Sequence, residues 1–174
     1  YIMRIVTTPM CEEVVKISGI NNYIVNKNPD EEDGDLAILL SESKVEMESL
    51  PIKLNTPCQL FESIREVSKL NEPLSDDEIL EFFTDYPLCL KYLKNQENSH
   101  VKVRVYSNFL RDIISNMGFE MSDENYDYII YPDYLLDELE NSDAQLVEIP
   151  SHIFVAKNPF ERIEMRYSIL EKLI

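Results

Sequence analysis

The chain has 174 residues, with 33 Asp+Glu against 16 Lys+Arg, a formal net charge of -17 and a pI of about 4.4. At 44% hydrophobic and 28% charged it has the composition of a folded chain, not of a disordered acidic tail, and its length suits one compact domain or two small lobes. The acidic balance argues against a nucleic acid or an anionic membrane as partner, and no apolar run approaches the roughly 18 residues that span a bilayer.

Arg4 to Thr8 is short and β-branched and predicts a strand. Met3 reads as a start, with Tyr1 and Ile2 as a cut remnant. The apolar run after Arg4 is too short for an export signal, so the expected location is the cytoplasm. Cys11, Cys58 and Cys89 are odd in number and widely spaced, which fits a reducing compartment rather than a disulfide framework. Thr8 and Pro9 predict the cap and first residue of a helix that carries Glu12 and Glu13 in its first turn and ends at Gly19. Tyr23 to Val25 predicts a second strand, and Asn26 to Gly34 a polar, acidic loop. Leu36 to Leu40 is continuously apolar, as in a strand covered on both faces. Pro51 to Leu54 predicts a further strand. Asn55-Thr56-Pro57 then opens a helix from about Cys58 to Leu70, apolar at Leu60, Phe61, Ile64 and Val67.

From Asn71 to His100 the pattern is helical. Ser75 and Glu78 form a capping box, and Pro87 divides two helical pieces. Val101 to Tyr106 is again a strand, Ser107-Asn108 caps a helix ended by Gly118, and Tyr128 to Tyr131 follows Asp127 as Leu36 to Leu39 follows Asp35. Lys157-Asn158-Pro159 precedes the last helix, Phe160 to Leu173, as Asn55-Thr56-Pro57 precedes the earlier one. The second half has an extra segment, Ile149 to Ala156. The matches run in the same order, which predicts an internal duplication. The expected fold class is α/β: two small Rossmann-like parallel-sheet lobes, residues 3–70 and 101–174, joined by a helical connector over 71–100.

Arg4-Ile5-Val6-Thr7-Thr8-Pro9, a helix ending at Gly19, Asp35-Leu36-Ala37-Ile38 and Pro51-Ile52-Lys53-Leu54 before a helix resemble the first lobe of the helical-linker substrate-binding proteins. The likeness covers residues 3–70 well and 101–173 loosely. It implies two-lobe capture of a cobalamin, haem, siderophore or metal ion. The chain departs from that family in its short lobes and in the absence of a lipid-attachment cysteine. In composition and length it also resembles small cytoplasmic proteins of methanogenic archaea.

Ligands of parallel α/β layers bind beyond the carboxyl ends of the strands. The residues there are Thr7, Thr8, Ser41, Glu42, Asn55 and Thr56 in the first lobe, and Ser107, Asn108, Asp133 and His152 in the second. As small hydrogen-bonding groups they would suit a small molecule or metal chelate; read blandly, Thr8, Asn55 or Thr56, and Asn108 are helix caps. The three glycines, Gly19, Gly34 and Gly118, make no phosphate loop, and Glu12 and Glu13 would repel an anion at the first helix, so nucleotide chemistry is disfavoured. No motif names a cofactor, and no His or Cys spacing makes a zinc site. Cys11 and Cys58 stand at predicted helix starts, where a thiol can be activated, although free cysteines are more often inert and buried. No Lys or Arg occurs between Arg111 and Lys157, an interval that holds Tyr126, Tyr128, Tyr131 and Tyr134 among acids. That stretch is either a solvated face or a docking surface for a basic protein.

Overall fold

A computed structural model describes residues 2–139, 142–151 and 155–174. Among the described residues, eight strands and six α-helices follow one another as β1 (Ile5–Thr7), α1 (Glu12–Ile17), β2 (Tyr23–Val25), β3 (Leu36–Leu40), β4 (Ser49–Ile52), α2 (Pro57–Ser68), α3 (Asp76–Glu81), α4 (Pro87–Lys91), β5 (Lys102–Val105), α5 (Asn108–Met117), β6 (Glu120–Met121), β7 (Tyr128–Pro132), β8 (Gln145–Ile149) and α6 (Pro159–Glu171). Two separate four-stranded sheets result, ordered β2-β1-β3-β4 and β6-β5-β7-β8, and every pairing is parallel. The order is the same in both lobes. In each, the first strand lies inside the sheet and its successor on the outer edge.

The predicted elements recur with local corrections. Thr8 does not cap α1. Residues 9–11 make a turn closed by the Cys11 N–H on the Thr8 carbonyl at 3.0 Å, and the helix begins only at Glu12. β4 is Ser49–Ile52, not Pro51–Leu54, because Ala37 pairs with Ser49 and Leu40 with Ile52. It is an edge strand, where Pro51 costs no ladder bond. β6 and β8 were not foreseen. Ile149, the first residue of the expected extra segment, is the last residue of β8, the counterpart of β4, and residues 152–154 of that segment lie outside the described residues.

Local chemistry explains the helix ends that were foreseen. Thr56 accepts from the Gln59 N–H at 3.2 Å, Ser75 and Glu78 form the reciprocal capping box, and Asn158 accepts from the Phe160 N–H at 2.9 Å. Gly118 ends α5 at φ +77, and a Cβ there would run into the Gln96 carbonyl.

One buried apolar cluster runs through both lobes. Its bridge is aromatic. Phe83, just beyond α3, packs on Phe61 of α2 at 5.9 Å and edge-on to Phe160 of α6 at 4.9 Å, and Tyr86 stacks on Phe160 at 5.1 Å. Such pairs add to the burial of their rings. Glu164 of α6 accepts from the Leu88 and Cys89 N–H groups, each at 3.0 Å, and so caps α4, whose own cap residue Tyr86 contributes no side-chain bond. The connector is thus clamped between the last helix of each lobe. No helix among the described residues is long and apolar enough to cross a membrane.

Candidate functional site

The parallel strands of both sheets end at a common cleft of about 480 Å³. Ser41 and Glu42 reach it from just beyond β3, and Lys53 and Asn55 from just beyond β4. Tyr106 and Ser107 come from the end of β5, Asn108, Phe109 and Asp112 from the start of α5, and Tyr134 from beyond β7. Both lobes contribute, as the position of a ligand site in such sheets requires.

One oxygen fastens the floor of the cleft. Oδ2 of Asp112, in the second lobe, accepts from Asn55 Nδ2 at 3.1 Å and Gln59 Nε2 at 3.0 Å, both in the first, with Lys53 Nζ at 3.9 Å. Tyr106 stands opposite in character. Its ring lies under the Arg104 guanidinium at 4.9 Å, and its buried hydroxyl oxygen has no hydrogen-bond partner among the described residues. A buried hydroxyl of that kind costs free energy until something bonds to it.

The cleft gathers Ser41, Glu42, Asn55, Ser107 and Asn108 from the expected set. Four of the others are placed elsewhere. Thr7 is buried and donates to the Ile38 carbonyl at 2.9 Å, which staples β1 to β3. Thr8 lines a separate hollow of about 110 Å³ with Lys27, Asp30 and Ser43. Thr56 is the α2 cap and buried. Asp133 accepts from the Ser151 hydroxyl at 2.6 Å and the Ser151 N–H at 3.2 Å. Burial pulls its pKa upward, but those bonds and the Arg166 charge outweigh it, and the net shift is downward. His152 lies outside the described residues. Lys53, Tyr106, Phe109, Asp112 and Tyr134 were missed. Tyr106, Phe109 and Tyr134 directly neighbour residues that the strand-end rule selected, Lys53 stands two residues before Asn55, and Asp112 sits one turn beyond Asn108 along α5.

Beside the cleft lies a recess of about 40 Å³, which shares Glu42, Asn55 and Phe109 with it and adds Met10, Leu40, Leu54, Arg162 and Arg166. Among the described residues no three His, Cys, Asp or Glu side chains are grouped to hold a metal ion. Cys11 is buried, and burial pushes its thiol up to about 11, against the pull of the Thr8 hydrogen bond and the Arg162 charge. The position near a helix start therefore does not activate it. Cys58 is exposed, and neither is in a disulfide.

No protein-family model matches the chain, and no curated protein does. Solved structures do match. The chain has the fold of the two-lobe substrate-binding proteins. The substrate-binding protein FpvC of P. aeruginosa, in complex with a Ni2+ ion, superposes with a TM-score of 0.58 at 12% identity, over 100% of this chain and 97% of that one. A mutant of the laminin-binding adhesin Lmb of Streptococcus agalactiae gives 0.56 at 11%, over 99% and 100%. The laminin-binding protein Lbp of Streptococcus pyogenes gives 0.54 at 12%, over 98% and 99%. The likeness expected well over residues 3–70 and loosely over 101–173 thus holds, as a fold, over 98–100% of the chain.

Proposed function

We propose that the chain binds a small molecule or a metal chelate in the cleft between its lobes, without catalysing a reaction there. The observation that carries this is the cleft itself, polar and lined from both lobes at the strand ends. The Ni2+ ion named with FpvC supports a metal-containing ligand. A bare ion held by protein side chains is disfavoured, because no group of ligating residues is in place among those described. Duplication of one lobe accounts for the shared strand order. A reducing, cytoplasmic setting accounts for three free cysteines.

The test is a native mass spectrum of gently purified protein, with melting curves in a low-molecular-mass cell extract. A bound mass at one per chain, lost in Ser41→Trp, which fills the cleft, is the expected result. A bare chain whose melting the extract does not alter overturns the reading. A second reading, docking of a basic protein, is favoured by the exposure of Glu124, Asp127, Asp137, Glu138, Asp143 and Glu148. The tyrosines do not form one face with these acids, since Tyr131 is buried and Tyr134 is at the cleft, 61% exposed. A salt-sensitive complex with a basic protein would support that reading.

A further inference from the structure

Two arginines occupy core positions in a chain of net charge -17. Arg162 is 2% exposed and Arg166 3%. Each of α2 and α6 begins with a proline, Pro57 and Pro159. Counted from those prolines, Arg162 stands where α2 has Leu60, and Arg166 where it has Ile64. Leu60 and Ile64 are wholly buried in the apolar core. The second lobe has therefore placed two charges, one turn apart on one helix face, where the first lobe has hydrocarbon.

No carboxylate among the described residues comes within salt-bridge distance of either guanidinium. Arg162 Nη1 donates to the Ala156 and Lys157 carbonyls at 3.2 and 3.3 Å; Arg166 donates from Nε to the Pro150 carbonyl at 3.0 Å and from Nη2 to the Ser151 carbonyl at 2.6 Å. These bonds fix the guanidinium groups but supply no counter-charge. Neither forms a salt bridge among the described residues. Asp133 acts on Arg166 from further off and is itself engaged by Ser151. Burial and, for Arg166, the neighbouring Arg162 charge pull the pKa values down to about 10 and about 9, which still leaves both cationic at neutral pH. Two like charges held together in a dry site are costly unless an anion joins them. Arg162 Nε and Nη2 and Arg166 Nη1 make no hydrogen bond among the described residues, and both side chains line the recess that opens beside the cleft.

We propose that Arg162 and Arg166 form an oxyanion subsite, which anchors a carboxylate or phosphate group of the ligand held in the inter-lobe cleft. This rests on the cleft-binding reading. The recess, about 40 Å³, compares with roughly 30 Å³ for one water in the liquid, so it admits the oxygens of one anionic group while the rest of the ligand lies in the cleft. Guanidinium forks suit the planar or tetrahedral oxygens of such groups. Phe109 stacks against Arg166 at 4.9 Å and lines both spaces. Glu42 also lines both spaces and is the carboxylate that competes with the ligand.

The experiment compares sodium citrate, sodium phosphate and zinc chloride with sodium chloride at matched ionic strength, by calorimetric titration and thermal melting. Citrate or phosphate is expected to bind at one per chain and raise the melting temperature; which of them does so separates the carboxylate from the phosphate source. Arg162→Leu and Arg166→Ile, the residues of the equivalent α2 positions, should each weaken that binding at least tenfold, and Glu42→Gln should strengthen it. In case a variant does not fold, the Nε–Hε resonances of Arg162 and Arg166 in the unaltered protein report the same contact and should shift with the anion but not with chloride. Unchanged binding in folded variants, unmoved arginine resonances, or no response to either anion overturns the proposal. A cleft ligand found by mass spectrometry that survives Arg162→Leu would overturn the subsite and leave the cleft reading standing. Anion binding that survives Ser41→Trp would do the reverse.

Discussion

The three cysteines sit in three environments, and their reactivities should separate accordingly. Cys11 and Cys89 are buried, and burial raises both thiol pKa values, with the Glu164 carboxylate adding to the rise at Cys89. Cys58, second residue of α2, is exposed. Iodoacetamide at neutral pH should label Cys58 first, and the other two only on unfolding. Mass mapping of a timed reaction checks this, and rapid labelling of Cys11 would revive a thiol-dependent activity. Single residues were legible in the sequence where their role is local. Thr56, Ser75, Asn158, Gly19 and Gly118 act within a turn of themselves, so their types announce them. Arg162 and Arg166 were not legible as a pair. Arginines spaced by four on a helix usually mark a wet face, and only alignment with Leu60 and Ile64 shows that these two face inward.

Among the elements, α4 shows how far a short helix depends on its neighbours. It has five residues, too few to hold itself together in water, and its N-terminal N–H groups end on the Glu164 carboxylate. Glu164→Ala should cost roughly 1.5–3 kcal/mol, the usual range for hydrogen bonds to a charged group. Glu164→Gln, which keeps an acceptor, should cost less. Urea unfolding of both checks the order, and an Ala variant as stable as the original would show that water caps α4 equally well. The sequence carried the long apolar strands, β3 and β7, because a strand buried on both faces is apolar throughout. It hid β6, which is two exposed residues, and β8, whose Gln145 and Leu146 are exposed at the sheet edge. Edge strands are fixed by pairing with a neighbour, and that information is absent from their own residues.

At the scale of the molecule, charge sets how stability varies with pH and salt. At pH 7 the net charge of -17 repels itself, so added salt should raise the melting temperature. Lowering the pH toward 5 should do the same as the repulsion falls. Below about pH 4 the sign reverses. At Glu171 burial pulls the pKa upward, but bonds from Lys91 and Tyr92 outweigh it, and the folded-state value lies below the ordinary carboxylate range; Asp133 is lowered as well. Carboxylates with depressed pKa values stabilise the fold above their unfolded pKa, and that contribution is lost as the pH falls through the folded value. Melting curves from pH 3 to 8 at two salt concentrations should show a maximum on the acid side of neutrality. A flat or steadily rising profile toward pH 3 would show that repulsion alone governs.

The two sheets and the strand-end location of the cleft were readable because α/β order dictates them. The particular aromatic contacts between the lobes were not, because nothing in the sequence says that Phe61, Phe83, Tyr86 and Phe160, far apart along the chain, meet. That shared packing has a consequence during synthesis. α6 leaves the ribosome after every element it packs against, and until it does Phe83 and Tyr86 lack the ring of Phe160, α4 lacks the cap from Glu164, and Tyr92 lacks both the ring and the carboxylate supplied by Tyr167 and Glu171. The first lobe and the connector therefore emerge with their sticky sides uncovered. The nascent chain must be kept from its neighbours until the last helix arrives to close it.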